Sequence, residues 1–228
     1  MNTLSPELFQ FLRELRSNNN KEWFADNKTR YQEQVQQPLC QLMEALQAPL
    51  AQFAPEIQVI AKAHNGSLFR IYRDTRFSND KTPYKTHAAC QFRHRLGKDA
   101  HAPGLYLHFD PDEVFFGGGL WLPPSAELLR VRQRIAERPQ DWQAVLADDE
   151  FRRFYPRGVE GEQLQRPPKG FSKDSPQLED LKRKSFYAMR GMSPEEALSI
   201  DLVTELLHSY RALTPLMQFL CRALDVPY

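Results

Sequence analysis

Apolar residues at helical spacing open the chain. Leu8, Phe11, Leu12 and Leu15 follow Ser5-Pro6-Glu7, which joins a capping hydroxyl, a proline suited to the first helical position and a first-turn acid. Asn18-Asn19-Asn20 stops this helix, because asparagine tolerates left-handed backbone and caps the next one. A second helix is predicted over Lys21 to Gln37, with Trp23, Phe24, Tyr31 and Val35 turned inward. Pro38 restarts or kinks it, and Leu39, Leu42, Met43, Leu46 and Leu50 prolong the stripe.

The period then shortens from that of a helix to the alternation of a strand. Strands are predicted over Ile57 to Ala63, Leu68 to Tyr72 and His87 to Arg95. After a loop over Leu96 to Pro103, Gly104 to Phe109 sets Leu105, Leu107 and Phe109 against Tyr106 and His108. The turn Asp110-Pro111-Asp112-Glu113 returns the chain as Val114 to Phe116. Strand following strand without an intervening helix argues for antiparallel pairing.

Helical spacing resumes at Ser125, with Leu128, Leu129, Val131 and Ile135, and again from about Gln140. Residues 151–174 lack a period and are rich in Pro, Gly, Arg and Lys, as expected of a surface excursion or a lid. Ser175-Pro176 caps a short helix through Lys184, Ser185 to Met189 suits a strand, and Ser193-Pro194-Glu195-Glu196 opens a last helical run jointed at Thr214-Pro215. The predicted fold is α+β: a central, mainly antiparallel sheet flanked by N-terminal and C-terminal helices in a single domain. Residues 1–54 are helical, 55–122 sheet-rich, and 123–228 helical with a basic loop excursion.

Composition adds bounds. Hydrophobic residues make up 41% and charged residues 26%, with a net charge of +1, so no global field draws the molecule to nucleic acid or membrane. No apolar run is long enough to span a bilayer. MNTLSPELFQ lacks the build of a signal peptide, and Cys40, Cys90 and Cys221 are widely spaced in apolar surroundings. Buried free thiols in a cytoplasmic protein are the expectation.

The charge is uneven: Arg70 to Lys98 holds eight Lys/Arg and two Asp/Glu, a local balance of +6. Most of it falls in RIYRDTRFSNDKTPYKT, residues 70–86, where Ser78-Asn79-Asp80 opens turns and Pro83 sends the chain back into extended structure. Arginine's planar fork matches phosphate and carboxylate, and lysine adds a point charge. The candidate ligand-binding residues are Arg70, Arg73, Asp74, Arg76, Ser78, Asp80, Lys81, Tyr84 and Lys85, and Tyr84 and His87 are the candidate proton carriers. The bland alternative is that Asp74 and Asp80 pair with their neighbours and latch the loop.

Other constellations are thinner. Gly117-Gly118-Gly119 fits neither GxGxxG nor GxxxxGK; it reads as backbone geometry before it reads as an anion nest. His87 and Cys90 fall on opposite strand faces, so no metal site is expected and no motif names a cofactor. His87 and His108 are the plausible proton carriers near the basic strand, and each reads first as an ordinary polar strand residue.

Three blocks carry a family likeness: Phe11-Leu12 with Asn18-Asn19-Asn20 and Trp23-Phe24, the run from Arg73 to Thr86, and Gly118-Gly119-Leu120-Trp121 with Pro123. Through them nearly the whole chain resembles the family known as domain of unknown function 2461. Asn79 stands where that family more often has a basic residue. The resemblance brings no activity, so function rests on the residues. They favour binding of a phosphorylated or otherwise anionic small molecule, with catalysis an open question. The alternatives are a non-enzymatic nucleic-acid-binding module, using Arg93, Arg95 and the basic 166–184 stretch as well, and a protein-interaction module.

Overall fold

The computed structural model describes residues 4–97 and 102–228; residues 98–101 of the predicted loop, Lys98 among them, lie outside the described residues. The N-terminal layer comprises α1 (Pro6–Ser17), α2 (Lys21–Asp26), α3 (Lys28–Tyr31) and α4 (Gln37–Ala51). Between α3 and α4 the chain widens into a π-helical turn, Gln32–Gln36, closed by the Gln37 amide donating to the Gln32 carbonyl. Pro38 supplies the cause, since it has no amide to donate and its ring crowds the preceding turn.

Strands β1 (Ile57–Gln58), β2 (Ala88–His94), β3 (Gly104–Phe109), β4 (Val114–Leu120) and β5 (Phe186–Met192) form one sheet in that order. Every pairing is antiparallel. Helices α5 (Ser125–Glu137), α6 (Pro139–Ala147), α7 (Asp149–Phe154) and α8 (Leu178–Leu181) intervene before β5, and α9 (Pro194–Ser199), α10 (Leu202–Ala212) and α11 (Thr214–Leu224) follow it. The α+β fold, with helices at both ends of the chain, is the predicted one.

Register sorts the strand residues into two faces. Cys90, Phe92, Leu105, Leu107, Phe109, Phe116 and Ala188 share the face buried beneath the helices. Phe9 of α1 meets Phe109 at 6.4 Å, and Tyr210 of α10 meets Phe92 and Phe116 edge-on at 6.2 and 6.5 Å. The Tyr210 hydroxyl donates to the Tyr106 carbonyl at 3.1 Å, which satisfies a polar group in an apolar layer.

The helix predicted over Lys21 to Gln37 divides at Asn27, the one predicted from Ser175 through Lys184 is confined to Leu178–Leu181, and three elements in and beside the sheet differ as well. Only Ile57 and Gln58 of the strand expected to reach Ala63 are paired. Leu68 to Tyr72 is no sheet strand but a strap along β2, joined by isolated bridges Leu68 to Cys90 and Tyr72 to Tyr84. Its bonds run Gln91 N–H to Ser67 O and Phe69 N–H to Ala89 O, then Lys85 N–H to Ile71 O and Arg73 N–H to Pro83 O. Between the second and third bonds the outgoing arm advances two residues and the return arm four, leaving a bulge at Thr86-His87. The third difference is β4, which runs through the glycine triplet to Leu120. A Cβ on Gly117 would lie 2.0 Å from the Ala188 carbonyl, and one on Gly119, at φ +138°, 2.2 Å from the Phe186 carbonyl. Close strand approach, rather than an anion nest, accounts for them.

The excursion after α7 returns to flank β5. Glu160 N–H donates to Tyr187 O, Lys184 N–H to Glu162 O and Leu164 N–H to Lys182 O. These bonds occupy the outer edge of the sheet near its start, which would otherwise present unpaired backbone groups.

Candidate functional site

The basic run is anchored at both ends and latched within itself. The side-chain amide of Asn19 donates to Tyr84 O at 2.9 Å, and Tyr84 N–H donates back to Asn19 Oδ1 at 3.1 Å. The Tyr84 ring is buried against Phe24 at 4.1 Å, with Tyr72 at 5.4 Å. Burial pushes its hydroxyl up in pKa. At the tip, Arg73 pairs with Asp80 and donates to Thr82 Oγ1 at 2.7 Å. The Thr82 amide and hydroxyl, then Arg73, hold the Asp80 carboxyl down to about 2. Arg76 grips Asp74 with two bonds, 3.0 and 2.7 Å, and Lys81 donates to Thr75 O at 2.8 Å. Ser78 is half-buried on the same loop, and Phe77 projects from it 95% exposed.

Arg73, Arg76 and Lys81 are thus each engaged by the loop's own acceptors. Asp74 and Asp80 serve as those acceptors. The side chains of Arg70 and Lys85 have no hydrogen bond or ion pair among the described residues. Lys85 is half-buried, its ammonium 5.1 Å from the centre of the Phe69 ring. Desolvation, then the Arg70 guanidinium, lowers its pKa.

Lys85 leads onto the second face of the sheet. Register brings Ala89, Gln91, Tyr106, His108, Phe115, Gly117, Gly119, Tyr187 and Met189 together there. Gln91, Tyr106, Phe115, Tyr187 and Met189 are half-buried, and Trp121, just beyond β4, is 62% exposed with its ring 4.9 Å from that of Tyr187. Phe69, Tyr106, Phe115, Trp121, Tyr187 and Met189 line a cavity of about 550 Å³ on this face. Its size and apolar walls suit a small organic molecule.

Beside it stands a chain of neutral titratable groups. Tyr106 Oη and His108 Nδ1 share a hydrogen bond of 2.9 Å, and the His108 ring stacks on Phe115 at 4.2 Å. The bulge before β2 brings the His87 ring to 4.4 Å from that of His108. Burial, aided by His87, depresses His108 to about 4, and burial raises Tyr106 to about 12. His87 is lowered by burial and by Lys85 and Arg73, against the opposing pull of Asp110. At neutral pH the chain holds no net charge while keeping both a proton donor and a proton acceptor. A cluster of perturbed titratable groups beside a cavity is a candidate functional site.

Of the candidates read from sequence, Lys85 and His87 belong to this cluster, Arg70 is close enough to act on Lys85, and Tyr84 is packed away from it against Phe24. Phe69, Gln91, Phe115, Trp121 and Tyr187 were not singled out. Alternation had set Tyr106 and His108 opposite the apolar side of β3, which was the available signal. Cross-strand register was needed to add the rest. Among the described residues no three His, Cys, Asp or Glu side chains converge as a metal site, and no helix is long and apolar enough to cross a membrane.

No curated protein matches the chain. A family model described as a conserved hypothetical protein (DUF2461) matches residues 7–219, which takes in the Asn19 anchor, the basic run, all five strands and the cluster on the second face. On the strength of that match, the chain belongs to the DUF2461 family.

Proposed function

We propose that the protein binds a phosphorylated or otherwise anionic small molecule with a flat apolar body, seated on the open face of the sheet. The observation that carries the reading is Lys85: a half-buried cation without a carboxylate partner, over the Phe69 ring that also lines the aromatic cavity. Among the described lysines, the other half-buried ones, Lys182 and Lys184, are paired with Glu179 and Glu162. Arg70 adds a second uncommitted charge. Tyr187, Trp121 and Phe115 offer stacking surface for a ring. The anion site is thereby centred on Lys85, Arg70 and His87, while Arg73, Arg76 and Lys81 shape the loop that carries them. A cytoplasmic setting belongs to the same reading and is supported by free thiols at Cys40, Cys90 and Cys221.

Thermal denaturation with phenyl phosphate tests it. A ligand that binds the folded state alone stabilises it by about 2.7 kcal/mol at a hundredfold excess over its dissociation constant. Phenyl phosphate is expected to raise the melting temperature more than inorganic phosphate does, and Lys85→Gln to abolish the rise. A rise that survives Lys85→Gln but is lost in Arg73→Ala or Arg76→Ala would put the anion on the loop instead. Stabilisation by an oligonucleotide alone would favour the nucleic-acid alternative.

A further inference from the structure

We propose that Lys85 is a nucleophilic amine that condenses with the carbonyl carbon of an anionic aldehyde or ketone to form an imine. The inference rests on the anion-binding reading above and specifies the chemical class of its ligand, whose anion Arg70 holds while the unprotonated form of Lys85 meets the carbonyl. Three features of the site lead to it.

The first is the amine's setting. An imine-forming lysine must present an unprotonated nitrogen, which requires a site that neither solvates the ammonium nor pairs it with a carboxylate. Lys85 is half-buried and has no ion pair among the described residues, so its ammonium is less solvated than an exposed one and is matched by no carboxylate. Desolvation and Arg70 both act to release its proton. Lys182 and Lys184, also half-buried, are paired with Glu179 and Glu162.

The second is the company of proton carriers. The amine lone pair attacks the carbonyl carbon, an N–C bond forms, and the π pair moves to oxygen, which takes a proton to give a carbinolamine. That hydroxyl then leaves as water while nitrogen sheds its remaining proton and the C=N bond closes. Aldehyde and amine become imine and water, with no oxidant or reductant. Each proton movement needs a neutral acid or base close by, and His87 lies within electrostatic reach of Lys85. Behind His87 the ring of His108 and the Tyr106 hydroxyl continue the chain.

The third is the cavity itself. Phe69, whose ring centre lies 5.1 Å from the Lys85 amine, is also one of its walls, so the amine and the apolar space share that ring. Apolar walls slow hydrolysis of an imine by limiting water at the carbon.

The probe is pyridoxal 5′-phosphate, a flat aldehyde bearing a phosphate, given to the full chain below stoichiometry near pH 7.5 and reduced with borohydride. Peptide mapping is expected to find the adduct on Lys85 at least tenfold above any other lysine. Excess phenyl phosphate should suppress it, and His87→Gln should slow its formation about 10²-fold. Lys85→Arg should remove the adduct yet keep the thermal stabilisation by phenyl phosphate, which shows that the variant folds and still binds the anion. Adducts spread evenly over surface lysines, with phenyl phosphate still stabilising the protein through Lys85, would overturn the imine and leave the anion site standing. Selective trapping at Lys85 without any stabilisation by phenyl phosphate would support the reactive amine and overturn the anionic ligand.

Discussion

A neutral imidazole at position 108 is favoured by burial and by the His87 ring beside it, and the Tyr106 hydroxyl occupies its Nδ1. The folded protein therefore gives up this proton near pH 4, whereas the unfolded chain does so near the ordinary value of 6.5. Between those two values the unfolded state binds more protons, so stability falls as pH drops through the window and is untouched by this group above it. His87 is shifted in the same direction, with Lys85 and Arg73 lowering it and Asp110 opposing. The upper part of the window lies above the carboxylate range, where the histidines can be read alone. Urea denaturation is expected to show a falling midpoint from pH 6.5 to 5, flattened in His108→Gln, whose neutral amide can still bond Tyr106. A wild-type midpoint constant over that range would contradict the placement of the two rings.

Among the elements, the strap from Ser67 to Arg73 and its return arm position Lys85, yet the strap is not a strand of the sheet. Its far end is held by Asn19, whose side chain bonds both backbone groups of Tyr84 as a neighbouring strand would. Asn20 caps α2 through the Trp23 amide, and Asn18 bonds the Glu14 carbonyl, so the three asparagines do three different jobs. Asn19→Ala leaves a partly buried amide and carbonyl without partners, a loss of about 1–3 kcal/mol. Hydrogen exchange at the Tyr84 amide should accelerate in that variant while the amides of β3 stay protected. Equal acceleration throughout the sheet would mean that Asn19 supports the whole fold and not the strap. The helices and the antiparallel meander were legible in the sequence because Leu105, Leu107 and Phe109, or Leu8, Phe11 and Leu15, keep their periods. The strap was read as a strand because Leu68 to Tyr72 alternates, although the Thr86-His87 bulge limits it to isolated bridges beside β2. The alternation that predicts β4 stops at Phe116, because glycines carry no side chains to show a period, although the strand continues through the triplet to Leu120.

For the whole molecule, the net charge of +1 leaves the surplus around residues 70–98 as a local feature. That surplus draws attention to residues 70–86, but sequence alone does not tell which of their cations are already engaged. Asp74 and Asp80 engage Arg76 and Arg73, and Lys85 is left over the Phe69 ring, one wall of an aromatic cavity whose other walls come from β2, β3, β4, β5 and Trp121. Residues so far apart in the chain meet only through register, which alternation alone does not fix. The central claim is that this assembled face binds an anion at the Lys85 end and a flat group over the aromatic walls. A crystal structure of the protein with phenyl phosphate tests it most directly. The account predicts phosphate density within hydrogen-bonding reach of Lys85 Nζ and the ring between Phe69 and Tyr187. Phosphate bound instead at Arg73 and Arg76, or an empty cleft at saturating ligand, would contradict it.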